Sequence, residues 1–255
     1  MKTNKNIYAN LPSFLDKLVL KKRYEITEVI KKFIIDKNIS SVLDIGTTED
    51  FLHKSSNYII FHLGKFKNHK SISDQTITSN FFSNKLCKSI TSDFTKIELE
   101  NFKSDLVISN ATIEHVGDFK NQLKMCRNIA KLSKKIFVII TPNRYHPIDF
   151  HTKLPFLHWL PKKIHRAILC LLGFHFLSKE KNLNLLSSGD LETLIKNCNN
   201  VEYKMHHINF LFFKSNLILI AQIKKTKEDK LTIKSGKKDP DIKNGIIKDN
   251  IKTII

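Results

Sequence analysis

Apolar residues within residues 13–37 recur with the spacing of one helix face. They are Ile26, Val29, Ile30, Phe33 and Ile34. Because residues three and four apart share a face of a helix, this rhythm predicts an amphipathic helix. We interpret residues 1–39 as an N-terminal helical extension.

From residue 40 onward, short apolar runs alternate with longer polar or helical connections. Five runs have the length of strands, at 42–45, 71–73, 89–91, 106–109 and 136–140. Strands that alternate with crossovers pair in parallel and are covered on both faces. The pattern therefore predicts an α/β fold with a mostly parallel sheet and helices on both faces.

The rhythm changes after residue 186. "LETLIKNC" predicts a helix opened by the "SSGD" turn at 187–190, and extended runs follow at 201–210 and 216–223. Two strands with no helix between them predict a closing hairpin, which makes one strand antiparallel. The Lys-rich residues 224–255 are typical of a disordered tail, so we expect the folded domain to span 40–223.

Composition narrows the class of protein. A chain of 255 residues with 41% apolar content can bury one core, and no apolar run reaches 18 residues. Its first residues, "MKTNKNIYANLP", lack the apolar centre of a signal peptide. The four cysteines form no CxxC pair, which favours a reducing compartment. We expect a cytoplasmic protein.

A formal charge of +19 raises the question of nucleic-acid binding. Only four of the 43 basic residues are arginine, the residue whose planar fork suits phosphate and guanine. Residues 224–255 contribute +5 of this charge, with ten lysines and five acidic residues. We therefore disfavour nucleic acid as the partner.

Small polar residues follow the predicted strands of this sheet. They are Asp44, Gly46, Asp74, Asp93, Asn110 and Asn143. Ligands of open parallel sheets bind beyond the carboxyl ends of the strands, where these residues would meet. For an adenosyl cofactor, Asp44 would orient the turn or accept from an ammonium group, and Gly46 would let backbone approach the ligand. Asp74 would accept from ribose hydroxyls and Asp93 from the adenine amino group.

These motifs resemble those of class I S-adenosylmethionine-dependent methyltransferases, of the type-11 methyltransferase-domain family in a bacterial subgroup. The matching stretches are "VLDIGTTED", "SISDQ", "SDLVISNATIEHVGD" and "IFVIITPNRYHPIDFHTKLPFLHWLPKKIHR". The resemblance covers residues 40–223. It implies a Rossmann-like seven-stranded sheet whose last two strands form a hairpin, and S-adenosyl-L-methionine as the cofactor.

The first turn departs from the family pattern. Thr48 and Asp50 stand where small residues are usual, and Asp44 and Asp74 are 30 residues apart instead of about 20. An insertion with "SNYIIFHL" as a short helix explains the gap. We expect Thr47 and Thr48 to bind the cofactor through hydroxyl and backbone N–H groups. The alternative is a catalytically silent, methyltransferase-like binding or scaffold protein.

The acceptor side is assigned to an insertion at residues 142–177, with Asn143, Arg144, His146 and His151 as its candidate binding residues. His115 beside Glu114 is the first candidate for a catalytic base, needed only if the acceptor loses a proton, and His146 and His151 are others. The alternative for the Glu114–His115 pair is a role in capping the next helix and orienting the site. Because the histidines of the insertion lack tight ligand spacing, we predict no metal.

The stretch 154–177 contains an amphipathic helix. Its apolar face consists of Ile164, Ile168, Leu171 and Leu172. We favour a lid helix on the core or a dimer contact over insertion into an anionic membrane interface. The sequence predicts methyl transfer to a hydroxyl, amine or carboxyl group of a small-molecule or glycan or lipid-linked acceptor. A nucleic-acid-directed methyltransferase is less favoured, since "SNAT" at 109–112 supplies no Asn-Pro-Pro-Tyr-type signature.

Overall fold

The computed structural model describes residues 13–49 and 55–224. Its strands are β1 (Ser41–Ile45), β2 (Asn68–Ser73), β3 (Asn84–Cys87), β4 (Ser104–Asn110), β5 (Ser133–Pro142), β6 (Val201–Phe210) and β7 (Phe213–Ile223). Its α-helices are α1 (Ser13–Ile34), α2 (Tyr58–His62), α3 (Lys96–Phe102), α4 (Phe119–Leu132), α5 (Lys162–Leu171) and α6 (Ser188–Lys196). Short 3₁₀ helices span Ile113–His115 and Leu157–Trp159.

The strands form one sheet in the order β3-β2-β1-β4-β5-β7-β6. Strands β1 to β5 pair in parallel, whereas β7 runs antiparallel to both β5 and β6. The predicted fold, with seven strands and one antiparallel strand, is confirmed. The chain moves outward from β1 to β3 and returns to β4 beside β1, so the topological switch point lies between β1 and β4.

Both faces of the sheet are covered by apolar side chains. On one face, Leu43 and Ile45 of β1 lie in a core with residues of α4 and α6. On the other face, Val42 packs in a core with Ile26 and Ile30 of α1. Alternate residues of a strand point to opposite faces, which explains how one short apolar run serves both cores.

The predicted strand at 89–91 is wrong, because the third strand is β3, which ends at Cys87. Strand β3 lies at the sheet edge and its side chains are mostly exposed, so its sequence carries no apolar run. Ile90 is buried as part of a turn, which produced the misleading signal. The helices expected at 13–37 and in "SNYIIFHL" are confirmed as α1 and α2.

The "SSGD" turn that was predicted to open α6 forms a capping box. The Ser187 hydroxyl accepts from the Asp190 backbone N–H, and the Asp190 carboxylate accepts from the Ser187 N–H. The predicted tail lies outside the described residues beyond Lys224. Within the described ranges, no helix is both long enough and apolar enough to cross a bilayer.

Candidate active site

The turn after β1 is held by a chain of buried hydroxyl groups. Thr47 Oγ1 donates to Asp44 Oδ2 at 2.6 Å, and Ser71 Oγ donates to Thr47 Oγ1 at 2.7 Å. Burial raises the pKa of Asp44 to about 6, although the hydrogen bond from Thr47 acts in the opposite direction. The hydroxyl of Thr47 is therefore engaged within the turn, whereas Thr48 is exposed beside it.

Gly46 has a positive φ of 82° and lies against Thr112, which follows β4. A Cβ on Gly46 would lie 2.2 Å from Thr112 Oγ1, a distance that no side chain tolerates. Thr112 Oγ1 itself donates to the Ile45 carbonyl at 3.2 Å. The space beside Gly46 is thus filled by a threonine, which differs from the open approach to a ligand that we expected.

Asp74 and Asn110 lie where the sequence placed them, at the carboxyl ends of strands next to β1. Asp74 directly follows β2 and is exposed, and no described residue forms an ion pair or hydrogen bond with its carboxylate. Asn110 ends β4 and is half-buried. Together with the Asp44 turn, they bring polar groups of three neighbouring strands to the switch point.

Asp93 lies apart from this group, because its strand ends earlier than predicted. It follows Cys87 by six residues and its side chain is 94% exposed. Lys124 of α4 lies 2.9 Å from its carboxylate, and this hydrogen bond and charge lower the pKa of Asp93. A contact between Asp93 and an adenine stays a prediction that the strand position no longer supports.

Glu114, His115 and His151 meet in a cluster that joins two distant parts of the sequence. One ligand atom of each lies within 4.8 Å of the other two. His115 Nε2 is 4.0 Å from Glu114 Oε1, and the two imidazole rings are 5.1 Å apart. His151, assigned to the acceptor side by sequence, is thereby placed beside the candidate catalytic pair.

The pKa values of the two histidines in this cluster are shifted in opposite directions. Burial lowers the pKa of His115, with the charge of Glu114 opposing it. Burial also acts to lower the pKa of His151. The hydrogen bond and charge of Asp149 outweigh burial, together with the charge of Glu114, so the pKa of His151 is raised. Asp149 therefore orients His151 and favours its cationic form.

The other predicted acceptor residues stabilise the loop after β5. Asn143 Nδ2 donates to the Lys214 carbonyl at 2.8 Å, and Arg144 Nη2 donates to the Leu160 carbonyl at 2.8 Å. His146 is buried, and its ring stacks on Phe210 with 5.7 Å between centroids. These contacts are structural, so a role in binding an acceptor stays a prediction for all three.

A basic pocket beside the cluster was not found from the sequence. Its lining contains Arg144, Lys162, Arg166 and two buried histidines, His158 and His165. The available signal was "KKIHR" at the start of α5, which places cations on successive turns of one helix.

Asn184 connects this pocket to the cluster. Its Oδ1 accepts from Lys162 Nζ at 2.8 Å, while its backbone N–H donates to the Glu114 carbonyl at 2.7 Å.

The structure is similar to solved methyltransferases. The plantazolicin methyltransferase BpumL, in complex with SAH, aligns with a TM-score of 0.52 at 13% identity, over 80% of this chain and 84% of that one. An O-methyltransferase family protein from Burkholderia thailandensis aligns with a TM-score of 0.51 at 12% identity, over 84% and 59%.

The small RNA methyltransferase HEN1 aligns with a TM-score of 0.50 at 10% identity, over 80% of this chain and 25% of that one. No protein-family model matches the chain, and no curated protein matches it by sequence. These structural similarities show that the chain shares the Rossmann-like fold of methyltransferases. At identities this low they show nothing finer than the fold.

Proposed function

We propose that the protein is an S-adenosylmethionine-dependent methyltransferase acting on a small-molecule or glycan or lipid-linked acceptor. The observation on which this proposal rests is the set of polar groups at the switch point. Asp44, Asp74 and Asn110 come from three adjacent strands. They lie at the carboxyl ends of those strands, where ligands of such folds bind.

The residues of this edge fit an adenosyl cofactor. Asp74 offers an exposed carboxylate with no partner among the described residues, which suits the two hydroxyls of a ribose. Asp44 holds the Gly46–Thr47 turn through Thr47, while Thr48 and Asn110 present polar groups on either side. When bound, the cofactor supplies an electrophilic methyl group on a sulfonium centre.

The chain itself contributes position and a proton acceptor. Holding the acceptor in line with the methyl group supplies most of the acceleration in such a displacement. His115 Nδ1 lies 2.7 Å from the Asn182 carbonyl, which can only accept, so Nδ1 carries the proton and Nε2 has a free lone pair. That nitrogen would take the proton of an acceptor hydroxyl, with Glu114 stabilising the resulting charge.

The basic pocket connects the insertion to the candidate catalytic pair. Arg144, Lys162 and Arg166 line it, and Asn184 ties it directly to the backbone of Glu114. These cations already donate to the Leu160 carbonyl, the Asn184 side chain and the Glu180 carboxylate, so they stabilise the insertion behind the site.

An exposed apolar surface favours an acceptor in or at a membrane. Three residues of the predicted apolar face of α5 are exposed, namely Ile164, Leu171 at 86% and Leu172. The fourth, Ile168, is half-buried, while His165 and Leu169 are buried. Lys163 lies on the exposed side of the same helix. Apolar residues with adjacent lysines suit an anionic lipid surface.

The β6–β7 turn carries further exposed apolar residues. Leu211 and Phe212 are exposed and both adopt positive φ, of 48° and 68°, a conformation that bulky residues rarely take. His146 connects this turn to the segment that precedes α5. Its ring stacks on Phe210, and its carbonyl accepts from Trp159 Nε1. We define the membrane-facing surface as Trp159, Ile164, Leu171, Leu172, Leu211 and Phe212.

The cofactor assignment is tested by calorimetry with S-adenosylmethionine and its demethylated product. The substitution Asp74→Ala should weaken cofactor binding about 10- to 100-fold, since it removes charge-assisted hydrogen bonds worth about 1.5–3 kcal/mol. Asp36→Ala is the matched control, because Asp36 is another exposed carboxylate. It precedes β1 and so lies toward the amino end of that strand, away from the switch point.

Equal affinities of the two variants would contradict the placement of the ribose. Cofactor binding without methyl transfer to any fraction of a metabolite extract would favour the silent scaffold protein. Transfer of a labelled methyl group to one fraction would establish the enzyme and isolate its acceptor.

A further inference from the structure

Glu114, His115 and His151 have the chemistry of a metal site. Two imidazoles and one carboxylate are a common set of protein ligands for zinc and iron. The ligand atoms lie within 4.8 Å of one another. Zinc–ligand bonds of about 2.0–2.2 Å place neighbouring ligand atoms roughly 3.3 Å apart, so small side-chain rotations would close the three groups on an ion.

Each ligand is oriented from behind by a hydrogen bond. His151 Nδ1 donates to Asp149 Oδ1 at 3.1 Å, as His115 Nδ1 does to the Asn182 carbonyl. Glu114 Oε2 accepts from Thr141 Oγ1 at 2.9 Å. In its neutral form, each histidine therefore carries the lone pair on Nε2, which is the tautomer that outer hydrogen bonds give to metal-binding histidines.

Two buried polar atoms of these side chains lack partners. Glu114 Oε1 and His151 Nε2 are buried and make no hydrogen bond within the described part of the chain. Both side chains are 0% exposed. A buried carboxylate oxygen and a buried imidazole nitrogen without partners cost free energy, and a cation between them would satisfy both.

We infer that Glu114, His115 and His151 bind one divalent transition-metal ion of the zinc type. Imidazole nitrogen selects such ions over Mg²⁺ and Ca²⁺, which prefer oxygen ligands. Three protein ligands leave a position for a further oxygen ligand, and His115, with 33% of its side chain exposed, opens the site to solvent.

The role of this ion in catalysis rests on the proposed function, although its binding does not. A hydroxyl of the acceptor bound to the ion would lose its proton to solvent water more readily, because the cation stabilises the alkoxide. The alkoxide oxygen would then form a bond to the methyl carbon while the bond from that carbon to the sulfonium sulfur breaks. His115 Nε2 would be a ligand of the ion, and activation of the acceptor would pass from the imidazole to the metal.

Binding is tested with Zn²⁺ and Co²⁺ on the full chain, prepared without a histidine tag and stripped with chelator. Wild-type protein should bind one equivalent of either ion, and Co²⁺ should give the visible absorption of a low-symmetry nitrogen and oxygen site. Glu114→Gln keeps the side-chain shape and should weaken the Kd for Zn²⁺ by more than about 100-fold. Asp149→Asn, which removes an orienting group, should weaken it about 10- to 100-fold.

His165→Ala is the matched control, since His165 is another buried histidine with an unpaired Nε2 outside the cluster. It should leave the Kd unchanged. Folded wild-type protein that binds neither ion, or a Kd unaffected by Glu114→Gln, would overturn the metal site. Cofactor affinity measured on the same samples separates this outcome from failure of the proposed function.

Discussion

Two buried aspartates at opposite ends of the parallel strands have opposite electrostatic properties. Asp44 has one side-chain donor, Thr47, and burial raises its pKa to about 6. For Asp105, burial acts in the same direction, but donors from Ser40 and Ser41 and the charge of Lys135 outweigh it and lower the pKa to about 2. The number of donors thus decides whether a buried carboxylate stabilises or destabilises the fold.

The substitution Asp44→Asn should stabilise the protein at neutral pH. Because the pKa of Asp44 is higher in the folded state than its ordinary value of 3.8, the free energy of unfolding falls as pH rises from about 4 to about 6. This loss amounts to up to about 3 kcal/mol. Urea denaturation at a series of pH values should show that Asp44→Asn removes the loss and weakens cofactor binding.

Asp105→Asn is the control of opposite sign. Because the folded-state pKa of Asp105 is depressed, its contribution is present above about pH 4 and disappears as pH falls towards about 2. This variant should therefore be less stable than wild type at neutral pH. An Asp44→Asn protein that is also less stable there would show that the Asp44 carboxylate is stabilising, contrary to our assignment.

Helix α1 was predicted as an N-terminal extension, but it packs into the core of the sheet. Ile26 and Ile30 are buried with residues of β1, β4 and β5 in the core on one face of the sheet. Most of the stability of such a helix comes from packing of its apolar face rather than from propensity. The helix and the sheet should therefore unfold together.

Ile30→Ala should lower the free energy of unfolding by about 2–5 kcal/mol, since it leaves a cavity at a fully buried position. Ile35→Ala is the matched control, because Ile35 follows the same helix and is 78% exposed. Its effect should stay within about 0.5 kcal/mol. Small, equal effects in urea denaturation would instead mean that α1 is an independent extension.

For the molecule as a whole, charge and exposed apolar area act together. The formal charge is +19, and the β6–β7 turn, which carries Leu211 and Phe212 of the surface proposed to face a membrane, lies at the carboxyl end of β5. Electrostatic attraction to anionic lipid and burial of apolar side chains are additive in peripheral binding. This arrangement would bring the site to an acceptor embedded in lipid.

The protein should therefore sediment with vesicles containing about 30% anionic lipid, and less so at high salt. Replacing both Leu171 and Phe212 by Ala should weaken this binding at least about tenfold. Ile97→Ala is the control, since Ile97 is an exposed apolar residue of α3, outside this surface. The membrane assignment would be contradicted if wild-type protein did not sediment with anionic vesicles. It would also be contradicted if the protein formed a dimer that the double substitution abolished.

Local sequence patterns were sufficient for much of the architecture. The periodic isoleucines identified α1, because a helix face repeats over a few residues. Apolar runs located β1, β4 and β5, since central parallel strands are buried on both sides. An edge strand has no such requirement, which is why β3 was misplaced and Asp93 with it.

The sequence was enough to place Asp44, Asp74 and Asn110 at the ends of strands, because each of these positions depends on near neighbours in the chain. The order of the strands in the sheet came from the tertiary structure. Folding alone brought His151 to Glu114 and His115, seated Thr112 against Gly46, and assembled the basic pocket. Such contacts join residues far apart in sequence, through a loop whose path follows from packing rather than from periodicity. The candidate metal site belongs to this second group.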